Sequence, residues 1–201
     1  MKKSRLEAFS DGVLAIIITI MVLEMKVPHG DSLASIKPLL PVFFSYVLSF
    51  IYIGIYWNNH HHMMHAAEQV NGRVMWANMH LLFWLSLVPF ASGWMGENSF
   101  TTWPVALYGL VLFMNGVAYY ILERCLIQLH GKNSVLGKAV GIDPKGILSV
   151  VIYLAAIGLA FMNPWISLFL YAFVAFIWII PDSRIEKEVV VNGSTKDEKH
   201  S

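Results

Sequence analysis

The first apolar stretch of the chain, Arg5 to Leu23, reads RLEAFSDGVLAIIITIMVL, and the predicted fold is organised around it. A helix turns by about 100° per residue, so Ile20 lies about +40° and Leu23 about −20° from Ile16. Thr19 lies about −60° from Ile16. One face of this helix is therefore an aliphatic stripe that is edged by a single hydroxyl group.

The same helix carries two polar residues away from that stripe. Asp11 lies about 140° from Ile16, and Ser10 lies about 120° from it on the other side. A carboxylate near the centre of a membrane span costs roughly 2.5–3.5 kcal/mol on insertion scales, and such groups usually face protein or water. We therefore expect the polar pair to face neighbouring helices, and Asp11 becomes a candidate site residue.

The composition indicates an integral membrane protein. Of 201 residues, 57% are hydrophobic and 13% are charged, whereas soluble domains carry about 25% charged residues. The net charge of +1 argues against nucleic acid as a partner. One cysteine, Cys125, excludes an intrachain disulfide and any multi-cysteine metal site. The first apolar run lacks a small-residue cleavage site, so we interpret it as a retained span rather than a signal peptide.

Six segments approach the roughly 20 apolar residues that a spanning helix needs. The last two share the tight Asn163-Pro164 turn and are expected to form a helical hairpin. The sequence thus predicts an all-α polytopic membrane domain over residues 1–181 and a polar, disordered cytoplasmic tail over residues 182–201. The third predicted span is followed by Ser92-Gly93. The predicted spans are Glu7–Met25, Leu39–Trp57, Val74–Phe90, Pro104–Leu122, Ile147–Met162 and Pro164–Ile180.

The distribution of basic residues predicts the orientation of these spans. Of the 14 lysines and arginines, all but Lys26 and Lys37 fall on the side of the N-terminus. Cytoplasmic loops are enriched in basic residues, so a multi-pass protein of the cell membrane with both termini in the cytoplasm is expected. We find no internal repeat, so a symmetric pore would require several copies of the chain.

A histidine-rich segment, residues 58–65 (NNHHHMMH), ends the second predicted span. His61 and His65 are four residues apart, share a helix face and have a spacing suited to zinc. The interpretation that we favour is instead a hydrogen bond from His60 or His61 towards Asp11 or Ser10, because a buried carboxylate needs donors.

The expected depth in the membrane supports a hydrogen bond between these histidines and the polar residues of the first helix. The first helix begins, and the second ends, on the same side of the predicted bundle. Asn78 and His80 in the third helix are further candidates for the same cluster. Histidine titrates near physiological pH, which would make such a cluster sensitive to pH.

Three motifs together resemble a known family. The first helix carries Arg5, Phe9, Ser10 and Asp11, followed by Ala15, Ile16 and Thr19. The others are Trp57-x2-His60-His61 and Pro89-Phe90. This combination resembles the signature of the transmembrane protein 175 family of endosomal and lysosomal potassium channels, and the single-repeat length resembles its bacterial members. The motifs cover about Arg5 to Phe90, and the last three helices resemble the family only in pattern.

The resemblance implies a potassium-permeable homotetramer of six-helix subunits, with the lipid bilayer and the permeant K⁺ as its other partners. The first helix of each subunit would line a central pore, with an aliphatic constriction formed by Ile16, Ile20 and Leu23 and with Thr19 beside it. It also implies a channel without enzymatic activity or cofactor. The residues assigned to a structural polar cluster are Arg5, Phe9, Ser10, Asp11, His60 and His61.

Three other functions compete with passive conduction. A proton-coupled secondary transporter would use Asp11 and the histidines as a relay, but that class usually shows broken helices and inverted repeats, and we find neither in the sequence. A membrane metalloprotein would use the His60–His65 cluster. A non-conducting helical scaffold would leave the Arg5–Asp11 cluster purely structural. No TVGYG-like filter and no phosphate-binding Gly-Lys-Ser/Thr motif is present in the sequence.

Overall fold

The computed structural model describes residues 2–131, 134, 136–137 and 144–179, and the regular secondary structure of these residues is helical. The predicted all-α class is therefore confirmed. The predicted tail, residues 182–201, and the predicted end of the last span at Ile180 lie outside the described residues. In chain order the helices are α1 (Lys3–Leu23), a 3₁₀ segment (Leu33–Leu39), α2 (Leu40–Ala66), α3 (Gly72–Ser86), α4 (Val88–Glu97), α5 (Thr102–His130), α6 (Pro144–Leu159) and α7 (Pro164–Ile179).

The helices differ in their ability to cross a membrane. Within the described residues, α1, the 3₁₀ segment with α2, the α3–α4 pair and α5 are each long and apolar enough to span. The described parts of helices α6 and α7 have 16 residues each, about 24 Å, and each is bordered by residues outside the described ranges. They pack against each other as the expected hairpin, and Asn163 Oδ1 accepts a hydrogen bond from the Trp165 backbone N–H in the turn.

Helices α2 and α5 extend well past the ends predicted from hydropathy, which were Trp57 and Leu122. Helix α2 continues to Ala66 and α5 to His130, where Gly131 with φ 87° follows. Hydropathy marks where an apolar run ends, but a helix continues for as long as its backbone groups stay paired.

Hydrogen bonds hold the two extended ends together. Lys3 Nζ donates to the carbonyl oxygens of Met64 at 3.0 Å and Ala67 at 2.9 Å at the end of α2. His130 Nε2 accepts from the backbone N–H groups of Glu68 at 3.0 Å and Gln69 at 3.2 Å. The start of α1 and the ends of α2 and α5 therefore lie together.

We call this end of the bundle the basic end, because it carries most of the described lysines and arginines. Its cationic residues include Lys3, Arg73, Arg124 and Lys145, which lie at the start of α1, the start of α3, the last two turns of α5 and the start of α6. At the opposite end, Lys26 Nζ and Glu97 Oε1 form an ion pair at 3.1 Å.

The third predicted span ends later than Phe90, and Ser92-Gly93, which was expected to follow it, lies inside α4. Helix α3 ends at Ser86, and α4 restarts at Val88 and continues to Glu97. Pro89 lies in the first turn of α4 and has no N–H to donate to the preceding helix, so the break falls at Leu87, two residues before it. Ser92 is buried and accepts a hydrogen bond from Ser49 Oγ of α2 at 2.9 Å, so it belongs to the core.

Buried tyrosines connect the central helix α5 to its neighbours. Tyr52 Oη of α2 donates to the Tyr171 carbonyl of α7 at 2.6 Å, and Tyr153 Oη of α6 donates to Tyr52 Oη at 3.3 Å. Tyr171 Oη donates to the carbonyl of Val105 in α5 at 3.3 Å. These bonds give each buried hydroxyl a partner in an apolar interior, where an unsatisfied hydroxyl would be costly.

Gly96 of α4 should not tolerate a side chain. A Cβ atom added there would lie 2.6 Å from Val42 Cα of α2, which is backbone and cannot rotate away. We expect Gly96→Ala to destabilise the protein by about 1–3 kcal/mol through overpacking, measured as a lower unfolding temperature in detergent. Gly158→Ala of α6 is the control, because an added Cβ meets no atom within 4 Å. Equal unfolding temperatures for the two variants would contradict the close approach.

Candidate functional site on the first helix

Helix α1 lies at one edge of the subunit, packed mainly on α2, α3 and α4. Its buried residues recur every three or four positions, which is the spacing of one helix face. They are Leu6, Ser10, Leu14, Ile17 and Met21. Most of the remaining α1 residues are exposed on the subunit, so their chemistry depends on what lies next to them.

The aliphatic stripe predicted from the sequence falls on that uncovered surface. Ile16 is 57% exposed, Ile20 41% and Leu23 79%. Thr19 is also exposed, and its Oγ1 donates to the carbonyl oxygens of Ala15 at 3.1 Å and Ile16 at 2.9 Å. Because the hydroxyl hydrogen is directed to the backbone, the oxygen lone pairs of Thr19 stay available on the exposed side.

A cleft of about 540 Å³ runs between α1 and the α3–α4 pair. Ile16 and Ile20 form its α1 wall, and Phe90 and Trp94 lie on the α4 side. Acidic residues occur at the end away from the basic end, where Glu24 also lines the cleft. The exposed stripe is thus partly recessed against α4 rather than projecting alone.

Behind the stripe, three buried polar side chains form a hydrogen-bonded chain that ties α1, α3 and α2 together. Ser10 Oγ donates to the Leu6 carbonyl at 2.8 Å and accepts from Asn78 Nδ2 at 2.9 Å. Asn78 Oδ1 and His60 Nε2 lie 2.8 Å apart. All three side chains are almost fully buried, with 0% exposure for Ser10 and Asn78 and 2% for His60. Since an amide oxygen only accepts, His60 carries a proton on Nε2 in this arrangement.

Asp11 belongs to a second, exposed group. Its Oδ1 accepts a hydrogen bond from Trp57 Nε1 at 3.1 Å. The Trp57 ring stacks on His61 with centroids 6.2 Å apart, and His61 stacks on His65 at 6.2 Å. The carboxylate therefore lies beside a column of aromatic rings on the surface of α2, at the basic end.

The structure differs from the expected cluster in three respects. No direct bond joins His60 or His61 to Asp11 or Ser10 among the described residues, since Asn78 stands between His60 and Ser10. Asp11 is exposed rather than buried between helices, and so is His61. Residues so close in sequence separate because a 100° step turns Ser10 inward and Asp11 outward.

Arg5 and Phe9 are brought into neither group. Both are exposed, Phe9 by 48%, and neither side chain makes a hydrogen bond with the described residues. Their outward positions place them on the same uncovered surface of α1. The remaining candidate, His80, accepts from Trp84 Nε1 within α3 at 3.0 Å and does not join the cluster.

Sequence reasoning gave too little weight to Asn78 and missed the Asp11–Trp57 bond. The available signal for Asn78 was a lone amide inside an otherwise apolar helix, a type of residue that often contacts other helices. For the histidine-rich segment, His60 points into the core while His61 and His65 are exposed. In the part of the chain that the structure describes, no group of three or more His, Cys, Asp or Glu side chains is placed to hold a metal.

Comparisons with known proteins converge on one family. A sequence profile described as "Endosomal/lysosomal potassium channel TMEM175" matches residues 5–89. A protein of Chryseobacterium sp., named a potassium channel, is 54% identical over 192 residues, covering 96% of this chain and all of the relative. One from Streptomyces collinus, also named a potassium channel, is 33% identical over 129 residues, covering 60% of this chain and 63% of the relative.

A solved structure shows the same fold. The crystal structure of a lysosomal potassium-selective channel TMEM175 homolog from Chamaesiphon minutus superposes with a TM-score of 0.77 at 24% sequence identity. The superposition covers 90% of this chain and 97% of the other. The helical arrangement around α1 is therefore shared with that protein.

Loss of the central amide should destabilise the subunit. We expect Asn78→Ala to lower the free energy of unfolding by about 1–3 kcal/mol, because it leaves the buried His60 N–H without an acceptor. Asn98→Ala is the matched control, since Asn98 is exposed and, among the described residues, its side chain donates to the Trp94 carbonyl of the preceding helix α4. The readout is unfolding in detergent, combined with His60→Ala in a double-mutant cycle. A coupling of about 0.5–3 kcal/mol is expected for residues in one network, and strictly additive effects would refute the bond.

Proposed function

The chain belongs to the TMEM175 family, and on that premise we propose that it conducts potassium ions passively across the cell membrane as a homotetramer, with α1 of each subunit lining the pore. The family consists of channels rather than enzymes. Permeation follows the electrochemical gradient and needs no nucleotide. Potassium is the permeant species and not a bound cofactor.

One observation carries the proposal. Ile16, Ile20 and Leu23 form an apolar face that the subunit leaves open, on a helix at the edge of its bundle. Four copies placed around an axis would bring these faces together as rings. A ring of branched aliphatic side chains forms a narrow, poorly hydrated passage, and such a constriction can close by dewetting.

Asp11 supports a pore over a purely lipid-facing surface. It is exposed on the subunit, and Trp57 supplies its one hydrogen bond among the described residues. A charged carboxylate turned towards hydrocarbon is costly, so a neighbouring subunit or water has to meet it. With Ile16 towards the axis, Asp11 lies about 140° away and faces sideways, towards an adjacent subunit.

Thr19 gives the proposed pore its polar contact. Its hydroxyl hydrogen is used by the backbone of α1, which leaves oxygen lone pairs for a passing cation. Oxygen atoms that replace part of the hydration shell are what cation channels use for selectivity. In this pore, each subunit contributes one such oxygen beside an otherwise aliphatic ring.

The proposed topology has six spans, with both chain termini in the cytoplasm and the basic end inside. The described parts of α6 and α7, 16 residues each, belong to the fifth and sixth of these spans. The bond of Lys3 to the end of α2, together with the position of Lys26 at the opposite end, supports this alternation of helix directions.

Potassium flux tests the proposal directly. Purified protein in vesicles with a potassium gradient should produce a potassium flux that increases with the amount of protein. A potassium ionophore, added as the control, gives the maximal flux for comparison. Vesicles without protein give the baseline. No flux above that baseline, from protein that remains folded and oligomeric, would overturn the assignment.

Ile16→Asn tests the constriction. An amide in the ring should keep it hydrated, so we expect higher potassium conductance or weaker selectivity over sodium, with the oligomer unchanged. The control is Leu154→Asn on α6, which has a comparable exposure of 54% but lies away from α1. Conductance and reversal potential in planar bilayers are the readouts. A variant that behaves like the control would place Ile16 outside the pore.

Asp11→Ala tests the proposed contact between Asp11 and an adjacent subunit. We expect a smaller tetramer fraction in mild detergent, because the substitution leaves Trp57 and any donors of the adjacent subunit without their acceptor. Asp31→Ala, at an exposed position between α1 and α2, is the control. Mass photometry or chemical cross-linking measures the oligomer. An unchanged tetramer fraction would show that Asp11 does not support assembly.

A further inference from the structure

A second cavity lies on the side of the subunit away from α1. It has a volume of about 570 Å³ and is formed by α2, α5, α6 and α7, within the roughly 300–1,000 Å³ typical of small-molecule sites. Its wall is largely apolar and aromatic and includes Tyr56, Gly116, Val150, Tyr153 and Trp178. No α1 residue lines it, so it is separate from the proposed pore.

The cavity opens on the outer surface of the subunit. Ile147 and Val151 of α6 and Tyr120 of α5 line it and are 58%, 57% and 49% exposed, respectively. An opening between apolar helices of a membrane domain meets lipid chains rather than water. The first described turn of α6 lies at this level, while α5 continues past it to His130.

Two cations lie at the rim of the cavity, each beside an aromatic ring. The Arg124 guanidinium lies 4.7 Å from the centroid of the Tyr120 ring, and the Lys145 ammonium lies 6.0 Å from that of Trp178. Basic residues paired with Trp and Tyr are typical of the membrane–water interface. Basic pockets between transmembrane helices bind anionic lipid headgroups.

The Arg124 guanidinium has hydrogen-bond donors that its contact with Glu123 does not use. Its Nη2 lies 3.6 Å from Glu123 Oε1, and its buried Nε has no hydrogen-bond partner among the described residues. A guanidinium has five N–H donors, and its planar fork matches the geometry of phosphate. Arg124 lines the cavity together with the buried Glu123, and its side chain is 36% exposed, so it is open to a charged head whose apolar chain enters the cavity.

We propose that this cavity binds an anionic phospholipid, with one acyl chain between α5 and α6 and the phosphate on Arg124. Charge complementarity selects the headgroup, and the apolar wall accepts the chain. Binding does not require that the subunits conduct ions, so it can fail or succeed independently of the proposed function.

Native mass spectrometry of the purified full-length oligomer tests the proposal, with phosphatidylglycerol and phosphatidylcholine of identical chains titrated separately. We expect retention of phosphatidylglycerol in preference to phosphatidylcholine. Arg124→Gln should reduce that preference by about fivefold, the effect of one basic residue near an anionic lipid surface. Arg73→Gln, an exposed arginine on α3 at the same end, should leave the preference unchanged.

A second pair of variants tests the site of the acyl chain. Gly116→Leu places a side chain in the cavity, where an added Cβ meets only ordinary contacts with Val150, Tyr153 and Tyr56. It should lower retention of both lipids, whereas Gly158→Leu on the open face of α6 should not. If Gly116→Leu fails to fold, Val150→Trp fills the same space from α6.

Three results would overturn the proposal. The first is equal lipid preference in Arg124→Gln and Arg73→Gln. The second is unchanged lipid retention in the folded cavity-filling variant. The third is lipid that binds only after deletion of residues 181–201, which would assign the cavity to the chain's own C-terminal segment.

Discussion

The hydrogen-bonded chain from Ser10 through Asn78 to His60 is the constraint on which the functional surface depends. It joins α1 to α3 and α2 in an apolar interior, where water does not replace a lost partner. Because Ser10 is held inward, the rotation of α1 about its axis is fixed. The position of Ile16, Ile20 and Leu23 on the uncovered face follows from that rotation.

The rest of the subunit acts as a frame for this arrangement. Hydroxyl groups of buried tyrosines join α2 to α7 and α7 to α5 through bonds to carbonyl oxygens, and they join α6 to α2 through a bond between two hydroxyls. The close approach of Gly96 to Val42 joins α4 to α2. Helix α1 takes little part in these contacts and lies at the edge. Such a helix is available for contacts between copies of the chain, while the frame supplies stability within each copy.

The two surfaces of the subunit therefore have different chemistry. The α1 side presents an aliphatic face with Asp11 and Thr19, which suits an assembly around a pore. The opposite side presents an apolar cavity with Arg124 and Lys145 beside aromatic rings, which suits lipid.

The sequence by itself determined the membrane class, the helices and the aliphatic stripe of α1, because hydrophobicity and a 100° repeat are local properties. It also gave the Arg5–Asp11 motif as the feature that resembles the family. Only the tertiary structure decided that Ser10 is buried while Asp11 is exposed, that Asn78 links Ser10 to His60, and that Trp57 donates a hydrogen bond to Asp11. It likewise decided that α2 continues to Ala66 and that α4 follows the break before Pro89. Those outcomes depend on which helices pack together and at what depth, and a hydrogen bond between residues 68 positions apart leaves no periodic trace in the chain.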